Sequence, residues 1–288
     1  MDIAEGLFFA LFWASATVAT KFAIRSVDPF LLSVLRFALV AVILLTYTYV
    51  IKRGQVRFPN RSEMGKLLIL GILNITVYMT GYLIAIETVS AGLISLVSAA
   101  NPLILILLSA LFLKKKPSMH QWIGIVLCLS GLILAAKPNL ENSHATLKGL
   151  IALVLGLTSI SAGSICFSKF NLSLPKMAVN TWQITLGGLL MAPILLINSK
   201  HNYLTADLNF WLSFLWLVIP VSVVAYGLWL NLLHKDPVKA GTWMFLTPVL
   251  GYIMAVTILH EHVTVYGVIG ALLVITGLMY SRRKVKLA

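Results

Sequence analysis

The chain has 288 residues, of which 59% are hydrophobic and only 11% charged, against roughly 45–50% and 25% in a soluble domain. At a mean hydropathy of +0.95 it has too few polar side chains to clothe a water-soluble globule, and helices of about 20 apolar residues would use most of its length. A soluble catalytic domain is thereby excluded, and the net charge of +13, gathered in short clusters between apolar runs, reads as membrane orientation rather than nucleic-acid binding.

Ten apolar stretches bounded by charges, proline or asparagine are predicted as membrane helices, at about 6–24, 30–51, 66–86, 91–113 and 119–136, then 148–168, 177–197, 209–232, 238–259 and 264–281. The first follows MDIAEG, which is acidic where a cleavable signal peptide would be basic, so it is expected to stay in the mature protein. It carries Trp13 and Ser15 midway and ends on Lys21, read as an interface anchor like Lys169. Arg36 lies some way into the second helix, where a central arginine costs roughly 2.5–3.5 kcal/mol on insertion scales. A structural role is expected for it, with Gln183 in a similar place on the seventh helix.

Asn74, Tyr78, Gly81 and Tyr82 make one stripe on the third helix, and Ser95, Ser98 and Asn101 climb the fourth to Pro102. On the eighth, Ser222, Tyr226 and Trp229 recur at i, i+4 and i+7; on the ninth, Thr247 adjoins Pro248. Each of these two prolines removes a backbone donor near mid-helix, which bends the helix and frees carbonyls. Pro193 and Pro220 have no such partners and are expected to be structural. Cys128 and Cys166 read as small packed hydrophobes, and His260-Glu261-His262 as loop charge, so neither a metal nor a cofactor is expected.

The halves resemble each other. At an offset of 148, Ala14, Lys21, Phe22 and Tyr78 match Ala162, Lys169, Phe170 and Tyr226, while Asn74 falls opposite Ser222. After a short slip, Pro102, Gly124, Gly131 and Leu132 match Pro248, Gly270, Gly277 and Leu278. The division expected is a first repeat at 1–136, a linker at 137–147 and a second repeat at 148–288. Five helices per repeat is odd, so the second copy would enter the membrane upside down, the arrangement of secondary transporters.

Sixteen Lys and Arg residues fall on the side of the N-terminus and four on the other, which predicts both termini in the cytoplasm. The first helix alone has the reverse polarity, with Asp2 and Glu5 before it and Lys21 and Arg25 after it. All nine acids lie in tails, loops or helix ends, so coupling through a mid-membrane carboxylate is not expected.

Several stretches resemble the EamA family of the drug/metabolite transporter superfamily: FWASATVATK, DPFLLSVLRF, SAGLISLVSAANP with ALFLKKKPSMHQWIG, then VVAYGLWLNLL, AGTWMFLTPVLG and LHEHVTVYGVIGALLVITG. The most specific element is Pro248 followed by Leu259 and Glu261; the first half departs from it, with Lys115 at the acidic position. The resemblance implies a ten-helix metabolite carrier, often an exporter of amino acids or related compounds.

The expectation is therefore an all-α integral membrane protein of ten helices in two inverted repeats, acting as a secondary carrier in the cell membrane. Its partners would be the lipid bilayer and a small metabolite, with the oligomeric state open. The solute would bind near the bilayer midplane among Trp13, Asn74, Tyr78, Tyr82, Ser98, Asn101, Ser222, Tyr226, Trp229 and Thr247, with Pro102 and Pro248 as paired helix breaks. Such an aromatic, uncharged lining suits a neutral or zwitterionic compound. The alternatives are that the polar stripes only bond helices together, and that the chain is a channel or a scaffold.

Overall fold

The computed structural model describes residues 3–114, 116–141, 144–198, 203–235 and 237–281; the side chains of 230, 233–242 and 245 are outside the description. Lys115, Lys200, Asp2, Asp236 and the basic cluster at 282–286, which enter the readings above, lie outside the described residues. Among the described residues the chain is helical nearly throughout, with an isolated antiparallel bridge between Val27 and Leu204. Eight helices there are long and apolar enough to cross a bilayer. They are α1 (Ile3–Ala23), α2 (Pro29–Ile51), α3 (Arg61–Thr88), α4 (Ala91–Leu113), α5 (Met119–Glu141), α6 (Leu147–Lys169), α7 (Lys176–Asn198) and α8 (Leu208–Trp229, whose helix runs on to Lys235). α9 (Pro237–Ile258) and α10 (Val265–Ser281) follow; Leu246–Ile258 and α10 are shorter apolar helices.

Local rules explain the ends. Asp28 caps α2 by accepting from Phe30 N and Leu31 N at 2.9 and 3.0 Å, with Pro29 in the first turn. α3 starts earlier than the apolar run, because Asn60 and Glu63 form a reciprocal capping box at 2.9 Å each way. α5 continues through Pro138 into the segment read as linker, where Asn139 Nδ2 donates to Ala135 O at 2.9 Å and so meets a carbonyl of the last turns.

Three helices contain π-helical turns: Thr46–Ile51 in α2, Ile72–Val77 in α3 and Leu217–Val224 in α8. The last two carry the repeat-related pair Asn74 and Ser222, each just before its tyrosine, and the wider turn rotates those side chains relative to an unbroken helix.

Packing partners exchange between the halves. α1 lies on α8 and α9, and α6 on α3 and α4; α2 packs on α7 and on the π turn of α8, while α7 packs on α3. α5 pairs with α10 along its length, in antiparallel register. There, a Cβ on Gly131 would sit 2.6 Å from Gly270 O, and one on Gly124 2.6 Å from Gly277 O. Lipid gives helices no hydrophobic reason to associate, so close backbone approach through small residues supplies the contact.

The two mid-helix prolines act differently. α4 is broken at Ala100 (ψ −9°) between Ala91–Ala99 and Asn101–Leu113, with Pro102 in the first turn of the second part. α9 runs continuously through Pro248. There the Thr247 hydroxyl donates to Met244 O at 2.8 Å, occupying the acceptor that Pro248, lacking an N–H, leaves empty.

Candidate solute site

Arg36 points from α2 into the space between α3 and α8. Its Nε donates to Ser222 Oγ at 3.0 Å, and Ser222 in turn donates to Leu217 O at 2.7 Å, five residues back along the π turn. The phenols of Tyr78 and Tyr82 on α3 lie near Arg36. Their rings lie 6.4 Å apart, and Tyr82 is buried. Arg36 thus bonds a side chain of another helix while remaining half-buried. A hydrogen bond to a charged group returns about 1.5–3 kcal/mol, against roughly 2.5–3.5 kcal/mol for placing arginine in a membrane helix. Among the described residues the bond to Ser222 is its one hydrogen bond, so the terminal nitrogens Nη1 and Nη2 are left toward that space.

The repeat-related contact is built differently. Asn74 Nδ2 donates to Gln183 Oε1 at 3.0 Å, and Gln183 Nε2 donates to Asn180 Oδ1 at 2.9 Å. The Asn74 side chain lies directly on Gly163 of α6, and Ser159 of the same helix donates to Leu73 O at 2.8 Å. Asn74 therefore sits in a three-helix contact. Gly81, on the same predicted stripe, faces α6 so closely that a Cβ would clash with Ala152 O. The stripe divides, with Asn74 and Gly81 packing on α6 and the tyrosines turned toward Arg36.

Phe9 of α1 is fully buried between Trp13, at 5.8 Å, and Trp229, stacked at 5.1 Å. Trp13 itself is 39% exposed. Tyr226 is half-buried one turn before Trp229. Asn101 accepts from Ser161 of α6 at 2.7 Å, Thr247 is bonded within its own helix, and Ser98 is half-buried next to the break in α4. Of the predicted residues, Ser222, Tyr78 and Tyr82 thus come together around Arg36, and Trp13 and Trp229 around Phe9. Asn74, Asn101 and Thr247 are engaged in packing bonds.

The end of the bundle opposite the N-terminus is closely tied. Glu261 accepts from Ala91 N at 2.5 Å and Gly92 N at 2.9 Å, so its carboxylate holds the first N–H groups of α4 from another helix hairpin. Lys21 Nζ donates to Ile86 O at 2.5 Å in the last turn of α3, a firmer role than an interface anchor. Ser26 donates to Asp207, Asn209 to Phe22 O and Ser26, and Tyr203 to Ile24 O, joining the α1–α2 and α7–α8 loops. At the end that bears the N-terminus, Arg57 forms a two-pronged ion pair with Glu63 at 2.6 and 2.8 Å, while the second part of α4 packs on α6 and α5. Among the described residues no three His, Cys, Asp or Glu side chains come together to hold a metal.

Arg36 was read from the sequence as structural, although an ionisable residue inside a membrane helix is a functional signal by default. Glu261 was marked by its motif but not by its partner, and the π turns leave no mark in hydropathy.

Both halves of the chain match the EamA-like transporter family, over residues 3–137 and 147–283. The chain is 24% identical to an uncharacterized transporter of Archaeoglobus fulgidus, covering 95% of each. It is 27% identical to a probable amino-acid metabolite efflux pump of Salmonella typhimurium, covering 94% of this chain and 91% of that one. A crystallographically solved chain shares the fold at a TM-score of 0.69 and 20% identity, covering 97% of this chain and 95% of that chain. With the family match running through both halves, this chain belongs to the EamA-like transporter family of the drug/metabolite transporter superfamily and is a multi-pass membrane transporter.

Proposed function

We propose that the protein is a secondary carrier that exports a small metabolite, of the amino-acid class, by alternating access between two inverted five-helix repeats. The observation that carries this reading is the exchange of packing partners between the halves, with α5 and α10 antiparallel and α1 and α6 each laid across helices of the other half. Inverted repeats of this kind rock against each other around a fixed midplane site. Both termini are then cytoplasmic and all ten helices cross the cell membrane. The end tied by Glu261, Lys21 and the 203–209 loop is then external. The amino-acid class is supported by the name of the Salmonella typhimurium relative and by the mixture of aromatic and polar groups around Arg36.

The test is a metabolite comparison of cells overexpressing the chain with cells lacking it, followed by counterflow of the identified compound in proteoliposomes. Saturable, exchange-competent flux is expected. Unsaturating ohmic conductance would instead assign a channel.

A further inference from the structure

We propose that Arg36 is the carboxylate-binding residue of the solute site, so that the transported compound carries one free carboxylate; this rests on the carrier reading and narrows it to a substrate class. A buried cation in a membrane protein ordinarily faces a carboxylate of its own chain. Six of the seven described acids are engaged elsewhere: Glu63 on Arg57, Glu261 on the start of α4, Asp207 on the start of α8 and on Ser26, Asp28 on the start of α2, Glu5 on Asn231 and Glu141 beside Lys137; the seventh, Glu87, is exposed at the end of α3. The hydrogen-bond partner of Arg36 is a neutral hydroxyl, and the nearby phenols of Tyr78 and Tyr82 are neutral groups too.

The geometry suits an anion from outside the chain. Ser222 holds the Nε edge, and Ser222 is itself fixed by its bond to Leu217 O, so the guanidinium plane is oriented before any solute arrives. The edge that carries Nη1 and Nη2 remains, and two parallel N–H donors match a carboxylate in a bidentate pair. The repeat-related position is the neutral Gln183, whose amide is occupied by Asn74 and Asn180. Positive charge therefore stands on one side of the pseudo-symmetric site only, which fits one carboxylate rather than a dicarboxylate.

The experiment uses the full-length detergent-purified protein and proteoliposomes made from it. The probes are L-leucine, L-phenylalanine and L-threonine, each beside its amide and its methyl ester, which keep the side chain and lack the carboxylate. Thermal melting and counterflow are read for the wild type, Arg36→Gln, Arg36→Lys and Ser222→Ala. For the wild type, at least one acid is expected to raise the melting temperature and to exchange, with its amide and ester about tenfold or more weaker. Arg36→Gln is expected to abolish that preference, Arg36→Lys to keep part of it, and Ser222→Ala to weaken the acid several-fold. Should Arg36→Gln fail to fold, the wild-type preference and the Ser222→Ala shift still decide. Equal handling of acid and amide by the wild type, or an intact preference in folded Arg36→Gln, overturns the assignment. Exchange of the carboxyl-free probes alone would overturn it while leaving the carrier reading in place, and exchange of neither class by the wild type would remove both.

Discussion

Arg36 of α2 and Ser222 of α8 are joined at 3.0 Å, and Gln183 of α7 and Asn74 of α3 repeat the contact at 3.0 Å in the other half. Asn74 and Ser222 are matched in the repeat alignment and each lies within a π turn, so one connection has been kept with different chemistry at each end. On one side three amides are linked in a chain from Asn74 through Gln183 to Asn180, and on the other a charged fork is held at one edge only. Structural and solute-facing duties are thereby divided between the two copies.

That division predicts opposite effects of substitution. Asn74→Ala or Gln183→Ala leaves a buried amide without its partner, at a cost of about 1–3 kcal/mol. The melting temperature of the purified variant should fall while affinity for a transported probe is unchanged. Lost affinity with unaltered melting would mean that Asn74 lines the solute path after all.

The α5–α10 seam should tolerate no added side chain. Gly131→Val places a branched group where even a Cβ would lie 2.6 Å from Gly270 O, and overpacking of this kind costs about 1–3 kcal/mol or more. Reduced yield and a broadened size-exclusion profile are expected. Gly227→Ala, where nothing lies within 4 Å, should behave as wild type. A monodisperse, fully stable Gly131→Val protein would show that the helices separate more easily than this packing allows.

The acids should prove dispensable for coupling. Glu63→Gln, Glu87→Gln, Asp207→Asn and Glu261→Gln should each retain substantial flux, because each of these side chains sits at a helix end or loop. Glu261→Gln should carry the largest stability penalty of the four, since Ala91 N and Gly92 N bond different carboxylate oxygens and the amide turns one of them into a donor facing a backbone N–H. Complete loss of proton-driven flux in any of them, at normal expression and probe binding, would place a coupling acid there.

Hydropathy and punctuation are one-dimensional signals, and they disclosed what is one-dimensional in the fold. The apolar runs and the repeat-matched glycines of α5 and α10 could be read from the sequence, whereas the start of α3 was placed at 66 because hydropathy does not register the Asn60–Glu63 capping box. Partner choice could not be read either. The stripe through Asn74, Tyr78 and Gly81 assumes a regular 3.6-residue turn, and the π turn at Ile72–Val77 shifts its phase, sending Asn74 to α6 and α7 and the tyrosines toward Arg36. The symmetric reading of Pro102 and Pro248 likewise missed that Thr247 fills the carbonyl Pro248 vacates, whereas Asn101 reaches across to Ser161.

Orientation can be checked on exposed positions. In a background with Cys128 and Cys166 replaced by alanine, Gln55→Cys should be shielded from a membrane-impermeant thiol reagent in intact cells, and Thr205→Cys should be labelled. The basis is the gathering of basic residues on the side of the 52–66 loop. The reverse pattern would invert the topology and turn the tied end of the bundle toward the cytoplasm.

The aromatic residues give the last separation of packing from binding. Trp229 stacks on the fully buried Phe9, so Trp229→Ala removes a ring pair worth about 0.5–1.5 kcal/mol beyond burial, and the melting temperature should fall. Tyr78 and Tyr226 are half-buried, and Tyr78 stands beside the Arg36 charge. Tyr78→Ala and Tyr226→Ala should therefore weaken apparent affinity several-fold while the protein still inserts and melts near the wild-type temperature. Tyr78→Phe distinguishes the ring from the hydroxyl: retained affinity means that the solute meets the π face, and lost affinity means that it bonds the phenol. If both alanine variants bind a transported probe normally, or both fail to fold, the tyrosines are packing residues and the solute path runs along the Trp13 side of α1 instead.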